Sequence, residues 1–286
     1  MAEEQYCLIT GASRGLGKAL AEYFWQRGWS LILLARGQQV LSEVVRSLGE
    51  REGQSSHTIA ADLAKSGEIE RIVETAKSLV PRLDTLINNA GIQGAVGPVW
   101  DNDWNEWVDT LRVDLLAPVA LCRLIAPWMI ENGGGSIISL SGGGATGPRA
   151  NFSAYATAKA GLVRFSETLA EELKPHNIRV NCIAPGAMST AMLEDVVAKG
   201  EVAAGKKEYE ISVRVLREGE ASMQRVAELC YFLASAASNG ITGKLISAVW
   251  DNWGHWPEHL DELNSSDAYT LRRVAGRDRG FIWGDK

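Results

Sequence analysis

From one end almost to the other, short apolar runs alternate with longer segments in which apolar residues recur three and four apart. The short runs predict strands over 6–10, 30–35, 57–61, 85–88, 136–140, 179–183 and 244–249. The longer ones predict helices over 16–27, 38–48, 67–79, 103–130, 152–173 and 223–236. Strands that alternate with helices in this way form a parallel sheet covered by helices, an α/β architecture. No Pro/Ser-rich linker divides the 286 residues, so one domain is expected over 1–249, with a C-terminal extension over 250–286.

Charge and composition narrow the partners. Lys and Arg total 29 against 35 Asp and Glu, a net charge of -6, so no polyanion-binding surface, and no nucleic-acid partner, is expected. Cys7, Cys122, Cys182 and Cys230 lie far apart in apolar stretches without a CxxC pair, which reads as buried reduced thiols. The first apolar run, 6–9, follows two acids and is far shorter than a signal peptide. No stretch holds the ~18 consecutive apolar residues of a membrane span, so the expected setting is cytoplasmic, with no membrane partner.

The first predicted strand runs into Thr10-Gly11-Ala12-Ser13-Arg14-Gly15-Leu16-Gly17 and then a helix. Glycines in a strand-to-helix turn let the backbone bend tightly and approach a pyrophosphate, which the helix N–H groups and dipole attract. Together with Asn88-Asn89-Ala90-Gly91, Tyr155-xxx-Lys159 and Pro185-Gly186, this turn resembles the short-chain dehydrogenase/reductase family in both order and spacing. The resemblance covers about residues 5–249. It implies a doubly wound, seven-stranded, Rossmann-like parallel sheet that binds a nicotinamide cofactor.

On that resemblance Gly11, Ser13, Arg14, Gly15, Leu16 and Gly17 hold the cofactor's pyrophosphate side. Asp62 and Leu63 meet the adenine, Asn89, Ala90 and Gly91 line the adenosine pocket, and Pro185, Gly186 and Thr190 lie at the nicotinamide. Turn chemistry at Asp62 and Asn89, and a plain helix N-cap at Thr190, remain open readings. The second strand ends Leu34-Ala35-Arg36, without the acid that would bond a ribose 2′-hydroxyl. Arg36 and Arg14 instead suit a 2′-phosphate, so NADP(H) is expected over NAD(H).

Tyr155 and Lys159 stand one helical turn apart, so they share a face. An ammonium beside a phenol stabilises the phenolate and makes tyrosine a better acid or base near neutrality. The resemblance makes Tyr155 the proton donor to a carbonyl oxygen and gives Lys159 the further task of holding the nicotinamide ribose. Two positions depart from the family. The serine that usually precedes the tyrosine by about thirteen residues is replaced by Gly142, with Ser141 one place off and Ser153 a weaker substitute. Asp114 stands where an asparagine commonly supports a proton relay, and its charge is expected to retune the effect of Lys159 on Tyr155.

Residues 191–224 read as amphipathic helices outside the sheet, with a mobile lid as one use. The extension carries Trp250, Trp253, Trp256 and Trp283. Trp253 and Trp256 are expected either as flat walls for a ring-shaped substrate or as cover for exposed surface. His255 and His259 have helical zinc spacing, but Pro257 between them is expected to open a new helix after His255, so no metal site is expected. By resemblance the helices over 103–130 and 152–173 pair with symmetry mates in a homodimer or homotetramer. The function so implied is reduction of a ketone, or oxidation of the matching alcohol, on a small-molecule substrate. Epimerisation or dehydration without net cofactor change, and a decayed nucleotide-binding regulator, stay open.

Overall fold

The computed structural model describes residues 4–218 and 222–283. The strands are β1 (Tyr6–Thr10), β2 (Ser30–Ala35), β3 (Ser56–Ala60), β4 (Thr85–Asn88), β5 (Gly135–Leu140), β6 (Ile178–Ala184) and β7 (Leu245–Ser247). Among the described residues they form a seven-stranded sheet in the order β3-β2-β1-β4-β5-β6-β7, every pair parallel. Between β1 and β2 runs α1 (Gly15–Trp25), followed by α2 (Gln38–Leu48) and α3 (Glu68–Leu79). Next come α4 (Trp104–Leu111), α5 (Ala117–Glu131), α6 (Ser153–Leu173), α7 (Ala191–Ala204), α8 (Lys206–Glu218) and α9 (Met223–Ala234).

The unbroken apolar runs of the strands follow from burial on both faces. Ile9, Leu33, Ile87 and Ile138 point to a core shared with α1 and α9, while their neighbours Leu8, Ile32, Leu86 and Ile137 point to one shared with α3 and α5. All four cysteines are buried free thiols, and burial pushes Cys122 and Cys182 up to about 12.

The helix expected over 103–130 contains a change of pitch. Asp103 caps α4 by accepting the Glu106 N–H at 2.9 Å, and residues Arg112–Leu116 then form a π-helical turn before α5. A π-turn holds one residue more than an α-turn and rotates the side chains that follow. Here it buries Asp114. By length and composition the run Trp104–Glu131 could also cross a membrane, but half of its most apolar window is buried inside the fold.

Beyond the sheet the tail meets its own domain. The predicted last strand is shorter than 244–249, because the Ser247 hydroxyl accepts the N–H groups of Val249 and Trp250 and turns the chain. A 3₁₀ segment, Trp253–His259, leads into α10 (Leu260–Asn264). Pro257 therefore does not open the helix as expected: its fixed φ is accommodated inside the 3₁₀ segment, and α10 starts three residues later. Trp253 and Trp256 join the core under α1 and α9, Trp253 packing 5.2 Å from Phe232 with the Arg225 guanidinium 4.4 Å above it. These rings are thus spent on packing in the core of their own domain. Lys244 fastens the segment by donating to the carbonyls of Leu263 (2.8 Å) and Ala268 (3.1 Å). Leu271 N–H donates to Glu167 of α6 at 2.6 Å.

Trp253 is 8% exposed and Trp250 82%. Trp253→Ala is expected to cost about 3–5 kcal/mol of stability, and Trp250→Ala within about 0.5 kcal/mol of nothing. Urea midpoints of the two variants check this, and equal shifts would mean that the tail is not part of the core.

Candidate active site

Chain direction over the sheet reverses between β1 and β4, and a doubly wound sheet opens a crevice at the carboxyl ends of its strands at such a point. A cleft of about 690 Å³ lies there. Its floor is a close contact that glycine permits. A β-carbon on Gly17 would lie 2.2 Å from the Gly11 carbonyl oxygen and 2.7 Å from Asn89 Nδ2, so α1 can approach the turn only without one. Gly11 has φ +67°, a left-handed conformation that glycine adopts at little cost. Across the gap the Thr10 hydroxyl accepts the N–H groups of Asn89 (3.0 Å) and Ala90 (2.9 Å), and Asn89 Nδ2 donates to the Thr10 carbonyl (2.8 Å). The Asn89 amide thus locks two strand ends together.

The adenosine-side features fit an anionic dinucleotide. Arg14, at the N-cap of α1, provides no side-chain cap, so the first-turn N–H groups face the cleft without one. Arg14 and Arg36 both line the cleft, and among the described residues neither guanidinium has a hydrogen bond or ion pair. Two unpaired cations at a helix N-terminus form a positive focus for phosphate. Asp62 also lines the cleft and accepts the Ala64 N–H at 3.1 Å through Oδ1, so the turn reading holds for one of its oxygens. Thr190 is the N-cap of α7 but makes no side-chain capping bond, which leaves its hydroxyl in the cleft wall.

At the other end, Tyr155, Lys159 and Ser141 line the same cleft. Lys159 Nζ lies 3.2 Å from Asp114 Oδ2 and donates to the Leu140 carbonyl at 3.1 Å. Lys159 is 4% exposed and Asp114 0%. Burial alone would lower the lysine, but the attraction of Asp114 and Tyr155 outweighs it and holds Lys159 above its ordinary range. Burial raises Asp114, against the pull of Lys159. Tyr155 is raised too: burial dominates, and Lys159 offsets only part of it. This reverses the direction expected from Tyr155 and Lys159 alone, because the phenol is desolvated and the ammonium already has a carboxylate.

Gly142 is not simply a lost serine. A β-carbon there would lie 2.2 Å from the Tyr155 hydroxyl oxygen, which occupies the space a side chain would need. The Ser141 hydroxyl, in the wall of the same cleft, is buried and without a hydrogen-bond partner. Ser153 accepts the Trp107 indole N–H at 3.1 Å and is engaged elsewhere.

The structure brings into the cleft wall Gly11, Ser13, Arg14, Gly15, Leu16, Gly17, Arg36, Asp62, Leu63, Asn89, Ala90, Gly91, Ser141, Tyr155, Lys159, Pro185 and Thr190. Gly186 is not in it and, at φ +81°, serves the turn after β6. Asp114 stands behind Lys159. Sequence reasoning missed Val113, Leu140 and Met192, of which Leu140 was findable as the last residue of a predicted strand at the carboxyl edge. It also missed Arg149, which stacks 3.8 Å over Phe152 and pairs with Glu208 of α8 at 2.8 Å. That pair ties α8 to the loop before α6. His255 and His259 face Glu258 and Glu262, at 4.0 and 3.5 Å.

A family model described as short chain dehydrogenase matches residues 5–201. The chain is 33% identical over 239 residues to dehydrogenase/reductase SDR family member 4 of Homo sapiens, 84% of each chain being covered. A solved NAD+-bound xylitol dehydrogenase superposes with a TM-score of 0.77 at 25% identity, over 85% of this chain and 96% of that one. A short chain dehydrogenase from Shigella flexneri, complexed with NADP, does so with 0.73 at 26% identity, over 86% and 97%.

Supplying a serine at 142 is expected to harm the site. Gly142→Ser forces the Tyr155 ring or the loop to move and should cost about 1–3 kcal/mol of stability. Thermal melting reads this, and an unchanged or raised melting temperature would show that the loop has room to spare.

Proposed function

The chain belongs to the short-chain dehydrogenase/reductase family of NAD(P)-dependent oxidoreductases, and on that basis we propose that it uses NADP(H) to interconvert a ketone and a secondary alcohol, with Tyr155 as general acid/base. The observation that carries the cofactor choice is the pair of unpaired guanidiniums, Arg14 and Arg36, in the cleft wall where an acid would serve a ribose hydroxyl. Two charged donors able to grip a 2′-phosphate favour NADP(H).

The cofactor, when bound, supplies or accepts the hydride. The chain's own residues do the rest. Gly11, Ser13, Arg14, Gly15, Leu16 and Gly17 receive the pyrophosphate on the turn and the α1 terminus. Asp62, Leu63, Asn89, Ala90 and Gly91 frame the adenosine, and Pro185, Gly186 and Thr190 shape the nicotinamide end. Tyr155 gives its hydroxyl proton to the substrate oxygen, or takes one from it, and the free hydroxyl of Ser141 bonds that oxygen as charge develops. Lys159, which gives one N–H to Leu140 and pairs with Asp114, keeps donor capacity for the ribose or for Tyr155. We further assign the cofactor and chemistry to residues 1–249 and a packing role to 250–286, in a cytoplasmic homodimer or homotetramer. Exposed Leu116 and Ile130 on the α4–α5 run suit helix-to-helix pairing.

Parallel fluorescence titrations with NADPH and NADH test the cofactor reading without a substrate. NADPH is expected to bind more tightly, and Arg36→Ala to lose about 1.5–3 kcal/mol of NADPH affinity but little of NADH. Equal losses would show that Arg36 does not meet a phosphate. In a panel of carbonyl compounds, turnover is expected with net NADPH consumption and to fall at least ~100-fold in Tyr155→Phe. Turnover without net consumption would point instead to epimerisation or dehydration, and activity surviving Tyr155→Phe would remove the tyrosine from the chemistry.

A further inference from the structure

Building on the oxidoreductase reading, we propose that Asp114 is a positioning residue that claims the Lys159 ammonium directly and keeps Tyr155 a protonated phenol, the form that donates to a carbonyl oxygen. Three placements support it. The π-turn Arg112–Leu116 turns Asp114 inward, where Oδ1 accepts the Ile92 N–H at 2.8 Å and Oδ2 meets Lys159 at 3.2 Å. Gly91 lets the loop after β4 press on the pair, since a β-carbon there would stand 3.3 Å from Asp114 Oδ2 and 3.5 Å from Lys159 Nζ. The Leu140 carbonyl accepts an ammonium N–H at 3.1 Å. With both partners buried, water does not dilute their attraction.

Carboxylates also stand beside the cations around Tyr155. From its own helix it faces Lys159, 5.5 Å from the ring centre, and from the loop before α6 it faces Arg149, at 6.0 Å. Asp114 answers the first from the π-turn. Glu208 answers the second from α8, at 2.8 Å. The remaining neighbour of Lys159, Cys182 on β6, has its thiol pushed up to about 12 and stays neutral. Each cation near the phenol therefore has a carboxylate of its own, which takes up part of the positive charge that would favour the phenolate. Burial is the main cause that raises Tyr155, and Asp114 adds to it in the same direction. Since a raised pKa extends the range over which the protonated form persists, the donor form spans neutrality and the acceptor form is scarce there. In reduction the bound reduced cofactor would supply a hydride to the ketone carbon, and Tyr155 would give its proton to the oxygen. The products are the alcohol and the oxidised cofactor, and Tyr155 recovers a proton from solvent.

The test reads the tyrosine without turnover. Ultraviolet difference absorbance of tyrosinate is followed against pH in the full chain, and the Tyr155→Phe signal is subtracted. The wild type is expected to show no Tyr155 step below about pH 10, the ordinary tyrosine value. Asp114→Asn, which removes the charge with little change of shape, is expected to bring the step down by at least about one pH unit, and Asp114→Glu to keep it high. A wild-type step below about pH 10, or the same step in Asp114→Asn, would overturn the proposal. If Asp114→Asn does not fold, Asp114→Ser, which also removes the charge, takes its place, and an unlowered step there would overturn the proposal. Failure to bind either NADPH or NADH would instead remove the enzyme reading and leave the titration result standing.

Discussion

The approach of α1 to the ends of β1 and β4 is the constraint on which the cleft depends. With the Gly11 carbonyl oxygen 2.2 Å from where a Gly17 β-carbon would sit, the helix end can lie over the turn only at a glycine. Once it does, its uncapped N–H groups face the crevice, and the Thr10 and Asn89 hydrogen bonds hold the two strand ends at a fixed separation. The crevice is then long enough to join Arg36 at one end to Tyr155 at the other. A side chain at Gly17 would act on the whole of it by lifting one wall.

The sheet was legible because its strands are buried on both faces, which writes them as continuous apolar runs between turns; β1, β2 and β4 lie where the spacing puts them. Most of the cleft wall was legible too, because glycine and charged residues at carboxyl ends of parallel strands have few other uses. What could not be read depends on partners distant in the chain. Trp250 and Trp253 are three residues apart in one segment, yet one is exposed and the other buried against Phe232 and Arg225, which α9 brings in. The π-turn has no local signature, since its inward residue is an aspartate whose reason, Lys159, lies forty-five positions on.

Gly142 shows how a pattern can mislead when read one residue at a time. Compared with the family, it looks like a missing hydroxyl. In space it is the clearance that lets the Tyr155 hydroxyl sit against the strand end, while Ser141 brings the only serine of that loop into the wall. The tyrosine and the glycine form one unit, and judging either without the other gives the wrong sign for a substitution at 142.

The two ends of the cleft treat charge oppositely, and burial explains why. At the adenosine end Arg14 and Arg36 are solvent-exposed, so unpaired guanidiniums cost little and stay available to an incoming phosphate. At the catalytic end Lys159 is nearly inaccessible, and an unpaired ammonium there would lose its charge to desolvation. Asp114 prevents that loss, but a carboxylate strong enough to hold the ammonium also competes with the Tyr155 phenolate for it. Keeping Lys159 charged and making Tyr155 acidic are therefore opposed demands at this site. The direct 3.2 Å contact, with no room beside Gly91, settles them in favour of the lysine.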